Sequence, residues 1–101
     1  MQQRYLGWGY AKGLIREYGV HKKTPHKSRL KPYQERAIEQ AAEQTKTLVD
    51  GAERLKLIDL VFWKQTHSLQ GACLACYVSE RTGRQWHTDF IRLVCKILDL
   101  S

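Results

Sequence analysis

The sequence has few prolines, few cysteines and no long apolar run, and each shortage excludes a class of protein. Two prolines occur in 101 residues, the periodic apolar runs are long and clusters of β-branched residues are few, so we predict an all-α fold. The three cysteines are an odd number without the spacing of a disulfide framework, which indicates reduced thiols in a cytoplasm. No apolar run approaches the roughly 18 residues that span a bilayer, and the chain starts without a signal-peptide apolar segment. We therefore expect a cytoplasmic protein that has no membrane partner.

Positive charge is concentrated in the first third of the chain. Residues 1–32 contain eight basic residues and one acidic residue, whereas residues 33–101 contain nine of each, so the net charge of +7 originates in the first segment. Residues 20–32 have no helical period, which indicates a basic arm or loop. Such an arm can neutralise phosphates and give salt-sensitive affinity without sequence choice, although an ordinary flexible linker fits the same composition equally well. The basic residues that we expect to contact a nucleic-acid backbone are Lys22, Lys23, Lys27, Arg29 and Lys31.

The last third of the chain contains two candidate helices, each preceded by a serine. Ser68 precedes a periodic apolar run that reaches about residue 77, and Ser79 precedes a second run that reaches about residue 98. A serine at this position accepts a hydrogen bond from an unpaired amide of the first helical turn. Two helices with so short a connection, residues 78–79, are typical of a helix-turn-helix, which presents its second helix to the major groove of DNA. We therefore predict DNA binding by a helix-turn-helix over residues 66–98.

The second of these helices has an apolar side and a polar side. At about 100° per residue, the apolar side contains Trp86, Phe90, Ile91, Val94 and Leu98. The polar side, which is our predicted DNA-binding site, contains Ser79, Glu80, Arg81, Arg84, Gln85 and Thr88. Arginine suits a guanine edge, glutamine an adenine edge, and threonine a thymine methyl group or a phosphate. A solvated amphipathic helix is the alternative. The prediction of DNA binding requires the arginine-bearing side to lie open to solvent, and intrachain contacts that occupy Arg81, Arg84 and Gln85 together would contradict it.

The residues of this unit also carry a resemblance to a known family. They are Leu69, Ala72, Val78, Ser79, Glu80, Arg81, Thr82, Trp86, Phe90, Val94 and Leu98. In these positions, roughly the last half of the chain resembles the carboxyl-terminal part of RinA-type phage transcriptional activators. It is also similar to helix-turn-helix modules of the kind found in region 4 of bacterial sigma factors. The resemblance implies a transcription regulator of phage or prophage type that acts on double-stranded DNA in a bacterial host cell. Gly83 departs from the pattern, because such motifs usually have a branched apolar residue there, and it implies either an unusually close helix pair or a looser one.

The first helix that we predict covers residues 4–18 and is rich in aromatic side chains. Gly7, Gly9 and Gly13 weaken it, since glycine costs about 1 kcal/mol in a helix interior. Its aromatic residues could stack on bases, but more often such residues lie in a core, at a subunit interface of a homodimer or on a docking surface for polymerase.

Two further helices are predicted between the basic arm and the helix-turn-helix. Residues 32–50 predict a long helix that Gly51 ends in the left-handed conformation, with Leu48 and Val49 on its buried stripe. Its opposite side is acidic and should point away from DNA. Residues 52–65 predict a helix with a broad apolar arc, buried between the long helix and the helix-turn-helix.

These elements predict one domain over residues 1–101, an orthogonal helical bundle. Residues 1–32 form its basic amino-terminal extension, residues 33–65 supply the supporting helices, and residues 66–98 form the helix-turn-helix. The main alternative function is an antiterminator or adaptor that binds host RNA polymerase through the aromatic first helix and the apolar third helix.

Chemistry beyond binding has little support. Cys73 and Cys76 have CxxC spacing, and His87 and Cys95 follow them, as a zinc site would require. Both residues of the pair fall inside a helix where its partner packs, and no second paired motif is present, so we predict buried thiols and no metal. No phosphate-binding glycine loop and no nucleophile with a positioned base are present, so we predict neither an enzyme nor a cofactor.

Overall fold

The computed structural model describes residues 7–100, and it is all-helical over that range. The α-helices are α1 (Trp8–Lys23), α2 (Pro32–Lys46), α3 (Gly51–Ile58), α4 (Leu69–Ala75) and α5 (Glu80–Ile97). A 3-10 turn at Pro25–Lys27 follows α1, and a π-helical segment at Asp59–Trp63 continues α3. The predicted all-α class is thereby confirmed. Within the described range, no helix has the length and apolar character needed to cross a membrane.

Both serine caps form as predicted. The Gly71 amide donates to Ser68 Oγ over 3.0 Å, and the Thr82 amide donates to Ser79 Oγ over 3.1 Å. Each bond satisfies an amide that the first turn of a helix leaves unpaired. The caps therefore explain why α4 and α5 begin where they do.

α5 is the central helix of the core, because it packs against each of the other four α-helices. The residues of its predicted inward side that are at most 6% exposed are Trp86, Phe90, Ile91 and Val94. Leu98, just beyond the helix, is half-buried. Full burial of an apolar side chain of this size contributes about 1.5–3 kcal/mol. The orientation of α5 is therefore set by its apolar side, and its opposite side lies in solvent.

α1 continues to Lys23, beyond the end predicted for it. Residues 20–23 form its last turn, so the prediction that they begin a loop was wrong. The extra turn contacts α2, where His21 Nε2 lies 3.1 Å from the Glu35 carboxylate. The spacing of apolar residues along the chain does not predict such a contact. The start of the predicted first helix, residues 4–6, lies outside the described residues.

Gly51 begins α3 and does not end α2, so this part of the prediction was also wrong. α2 ends at Lys46, and the residue with a left-handed φ is Asp50, at 59°. A Cβ on Gly51 would collide with the Lys46 carbonyl group, so the glycine allows the start of α3 to pack onto the end of α2. Because α2 stops early, Leu48 and Val49 fall in the connection and are exposed.

The predicted third helix is present as α3 and its π-helical continuation. Its fully buried large side chains are Leu57, Ile58 and Phe62. α3 packs against α2, α4 and α5, which agrees with the burial that its broad apolar arc predicted. This segment is therefore a central part of the core.

Candidate nucleic-acid interface

α4 and α5 are joined by a short turn, residues 76–79. Tyr77 has a left-handed φ of 57°, which reverses the chain without a glycine. This conformation costs a residue with a side chain about 1–2 kcal/mol. The packing of the two helices therefore has to maintain the turn.

Gly83 shows that the two helices approach closely. A Cβ at this position would collide with Cys73 Sγ of α4 and would lie 3.2 Å from Leu57 Cδ1 of α3. Gly83 is itself buried in α5. Of the two arrangements that its presence implied, the structure has the close one.

The predicted polar side of α5 faces solvent at its amino-terminal end. Its exposed residues are Ser79, Glu80, Arg81, Arg84 and Gln85, and Thr88 is half-buried. Arg92 and Lys96, which sequence reasoning did not include, lie on the same side of the helix by their spacing from Arg81 and Gln85. The outer surface of α5 is therefore richer in positive than in negative side chains.

Two of the three side chains that the prediction requires not to be occupied together are paired inside α5. Arg84 Nη2 lies 2.7 Å from Glu80 Oε2. Gln85 Nε2 donates to Asp89 Oδ1 over 2.7 Å. Arg81 is not occupied, since it makes no ion pair or hydrogen bond with any described residue. Exposed pairs at i,i+4 contribute only about 0.3–0.5 kcal/mol, so a phosphate or a base edge can replace them.

The Ser79 hydroxyl is already used by the helix cap. It accepts from the Thr82 amide and donates to Thr82 Oγ1 over 3.0 Å. An anion at this helix end would therefore be held by backbone amides and by the positive end of the helix dipole.

The predicted phosphate contacts of the basic arm lie at the end of α1 and in the connection to α2. All five are exposed, namely Lys22, Lys23, Lys27, Arg29 and Lys31. The Arg29 amide donates to Glu17 of α1 over 2.9 Å, and the Lys31 amide donates to Gln34 of α2 over 2.8 Å. These bonds hold the connection against α1 and α2. The structure therefore does not join these residues to the polar side of α5 through any contact in the described range.

A second group of positive side chains lies on α1, beside the amino-terminal half of α5, and sequence reasoning missed it. Arg16 Cζ lies 5.7 Å from the centre of the Phe62 ring, and the His87 ring stacks on the same ring at 5.1 Å. Burial, followed by three nearby positive charges, lowers the pKa of the His87 imidazole to about 4. Those charges belong to Lys12, Arg16 and Arg84. The i,i+4 spacing of Lys12 and Arg16 was visible in the sequence, but the helix that they would face was not.

The three cysteines are buried thiols and form no disulfide. Burial is the main cause that raises the pKa of each thiol, at Cys73, Cys76 and Cys95. Near neutral pH they are therefore protonated and behave as small apolar groups. No three His, Cys, Asp or Glu side chains in residues 7–100 are grouped so that they could hold a metal.

Large apolar side chains remain exposed at the turn and at the α2–α3 connection. Tyr77 is 94% exposed, Leu74 is 75% exposed and Val49 is 79% exposed. A cavity of about 400 Å³ beside the turn is lined by Ala52, Glu53, Lys56, Cys76 and Tyr77. The apolar side chains of α1 and α3, which were expected to carry contacts with a polymerase, lie mainly in the core.

No protein-family model, curated protein sequence or solved structure matches this chain. The resemblance to phage activators is therefore carried only by the residues quoted for it. The exposed charges of α5 and α1, together with the helices that position them, define the chemistry of this surface.

Proposed function

We propose that this protein is a sequence-specific DNA-binding transcription regulator of phage type, in which α4 and α5 form a helix-turn-helix and α5 is the recognition helix. One observation carries the proposal. α5 is held by its buried side, while the arginines near its capped amino end lie in solvent. In docked helix-turn-helix units, the amino-terminal residues of the second helix meet the base edges.

The connection between α4 and α5 supports this assignment. α4 is seven residues long, and residues 76–79 separate it from α5. A turn of three or four residues joins the two helices of such motifs. The close approach of Gly83 to Cys73 packs α5 directly against α4, so α4 supports the proposed recognition helix.

Four polar side chains of α5 have separate roles in the proposal. Arg81, which has no partner among the described residues, is available to bind a guanine edge directly. Arg84 exchanges Glu80 for a guanine edge or an adjacent phosphate, and Gln85 reads adenine. Thr88 contacts a thymine methyl group or a phosphate. The exposed lysines and Arg29 of the arm add backbone contacts that do not depend on sequence.

Selection from a random duplex library, followed by gel shifts over a range of salt, tests the proposal. The test variant is Arg81→Ala/Gln85→Ala in α5, and the control is Arg36→Ala/Gln40→Ala, which removes the same exposed residue types at the same spacing from α2. We expect the test variant to lose about tenfold or more of its preference for selected fragments, because each bidentate base contact is worth about 1–3 kcal/mol. The control should keep its preference. A wild-type chain that enriches no fragment and binds no duplex at low salt would overturn the proposal.

The second candidate is an antiterminator or adaptor that binds host RNA polymerase through protein contacts. The exposed Leu74 and Tyr77 favour it, because large exposed apolar side chains often mark interaction sites. A pull-down with purified polymerase in the absence of DNA tests this function. Tyr77→Ser should abolish retention, whereas Tyr33→Ser, at a half-exposed tyrosine of α2, should leave it unchanged. Equal retention of both variants, or none by the wild type, would rule this surface out.

A further inference from the structure

Lys12 and Arg16 lie one turn apart on α1, next to the half of α5 that carries the predicted base contacts. The Arg16 guanidinium lies over the Phe62 ring, and the His87 ring of α5 stacks on the same Phe62 ring. α1 packs directly against α5. Both cations therefore stand on a helix that the core fixes beside α5, and their place does not depend on a loop.

The positive charge of this cluster is not neutralised within the described residues. Lys12 and Arg16 make no ion pair there, and the His87 imidazole between the helices is neutral near pH 7. The acid on the predicted base-contacting side of α5, Glu80, is already paired with Arg84, at 2.7 Å. A partner of opposite charge would therefore find two unpaired cations on a preformed surface.

The dimensions of DNA indicate which group this partner supplies. Packed helices have axes about 8–10 Å apart, and the major groove is about 12 Å wide between its phosphate backbones. When α5 lies in the groove, a helix packed along its flank lies over the adjacent backbone. We propose that Lys12 and Arg16 each bind a backbone phosphate of the same duplex, on the strand that borders the groove entered by α5. This inference rests on the proposed function, and it adds α1 to the surface that the duplex covers.

The test compares Lys12→Gln/Arg16→Gln with a matched control, Lys46→Gln/Arg36→Gln, which removes one exposed lysine and one exposed arginine from α2. Affinity for a short random-sequence duplex is measured between about 50 and 200 mM salt, where log affinity falls with log salt by about 0.9 for each phosphate that the protein neutralises. We expect the α1 variant to shallow this slope by about two and to weaken binding at least tenfold. The control should change the slope by less than half as much.

The single substitution Lys12→Gln is a control for misfolding of the double variant. It should leave the fold intact, because Lys12 makes no hydrogen bond in the described range. It should shallow the slope by about one. The ring resonances of His87 should also shift when duplex is added to the wild type, since a phosphate arriving at this cluster changes the field at the imidazole. If the wild type binds duplex but the α1 variants match the control, the phosphate site is wrong and the proposed function stands. If the wild type binds no duplex, both are overturned.

Discussion

In the proposed complex, Arg84 would exchange its carboxylate partner for a base edge of the DNA. In the isolated chain its guanidinium is paired with Glu80, and both side chains are largely exposed, at 64% and 45%. Such a pair contributes about 0.3–0.5 kcal/mol. A guanine edge presents two acceptors and provides about 1–3 kcal/mol of discrimination. The exchange would therefore favour the proposed complex.

We predict that Arg84→Ala lowers discrimination between a selected site and random duplex by about 1–3 kcal/mol. The measurement is the ratio of the two dissociation constants at one salt concentration. Arg36→Ala, an exposed arginine of α2, is the matched control and should keep the ratio. An unchanged affinity of Arg84→Ala for the selected site would show that this side of α5 has been assigned wrongly.

We predict that Glu80→Gln strengthens binding to any duplex by about two- to fivefold, because it frees Arg84 and removes a negative charge from the interface. Glu43→Gln, an exposed acid of α2, provides the control for net charge and should have a smaller effect. Gel shifts on random and selected duplexes measure both. If Glu80→Gln instead weakens binding to the selected site alone, Glu80 itself accepts a hydrogen bond from a base.

At the scale of elements, the contact between α4 and α5 positions the proposed recognition helix. It depends on the absence of a side chain at Gly83, because a Cβ there would collide with Cys73 Sγ. Glycine lowers helix propensity by about 1 kcal/mol. The close packing of α4, α5 and Leu57 of α3 offsets this cost.

We predict that Gly83→Ala lowers the free energy of unfolding by about 1–3 kcal/mol, because overpacking outweighs the gain in helix propensity. Urea denaturation measures the change. In Cys73→Ala/Gly83→Ala the colliding sulfur is absent, so the double variant should lose less stability than the sum of the two single variants. Strict additivity would mean that the two residues do not touch.

At the scale of the whole molecule, the packing of α1 against α5 keeps His87 neutral among three cations. Its pKa in the folded chain, about 4, lies below the ordinary value of 6.5. Between these two values the unfolded chain binds more protons than the folded chain, so the free energy of unfolding falls as the pH falls from about 6.5 to about 4.

We predict that acidification across this window lowers the Tm of the wild type more than that of His87→Phe, which keeps a ring on Phe62 but cannot titrate. Because solvent screens this partly exposed imidazole, we expect a difference of about 1 kcal/mol, or about 4–8 °C. Thermal melts at both ends of the window measure it. Parallel decreases in the two proteins would show that other groups account for the acid sensitivity.

Much of the candidate site could be predicted from local patterns. Ser68 and Ser79 were identified as caps because capping involves residues within one turn. The buried and exposed sides of α5 followed from a repeat of 3.6 residues. The pairing of Arg84 with Glu80 was also visible in their spacing, but it was not used in the prediction. The interface of α1 with α5 could not be found in this way, because Lys12 and His87 are far apart in the chain.

The amino-acid sequence by itself determined that the chain forms helices, where α4 and α5 begin, and which side of α5 is buried, because capping and amphipathic periodicity act over one or two turns. Only the tertiary structure decided that α1 continues to Lys23 and that Lys12 and Arg16 lie beside the amino-terminal half of α5. It also decided that Gly51 and Gly83 allow neighbouring helices to approach closely. These features depend on contacts between helices that are distant in sequence. Packing selects such contacts by shape and by burial of the whole core, and no local pattern encodes them.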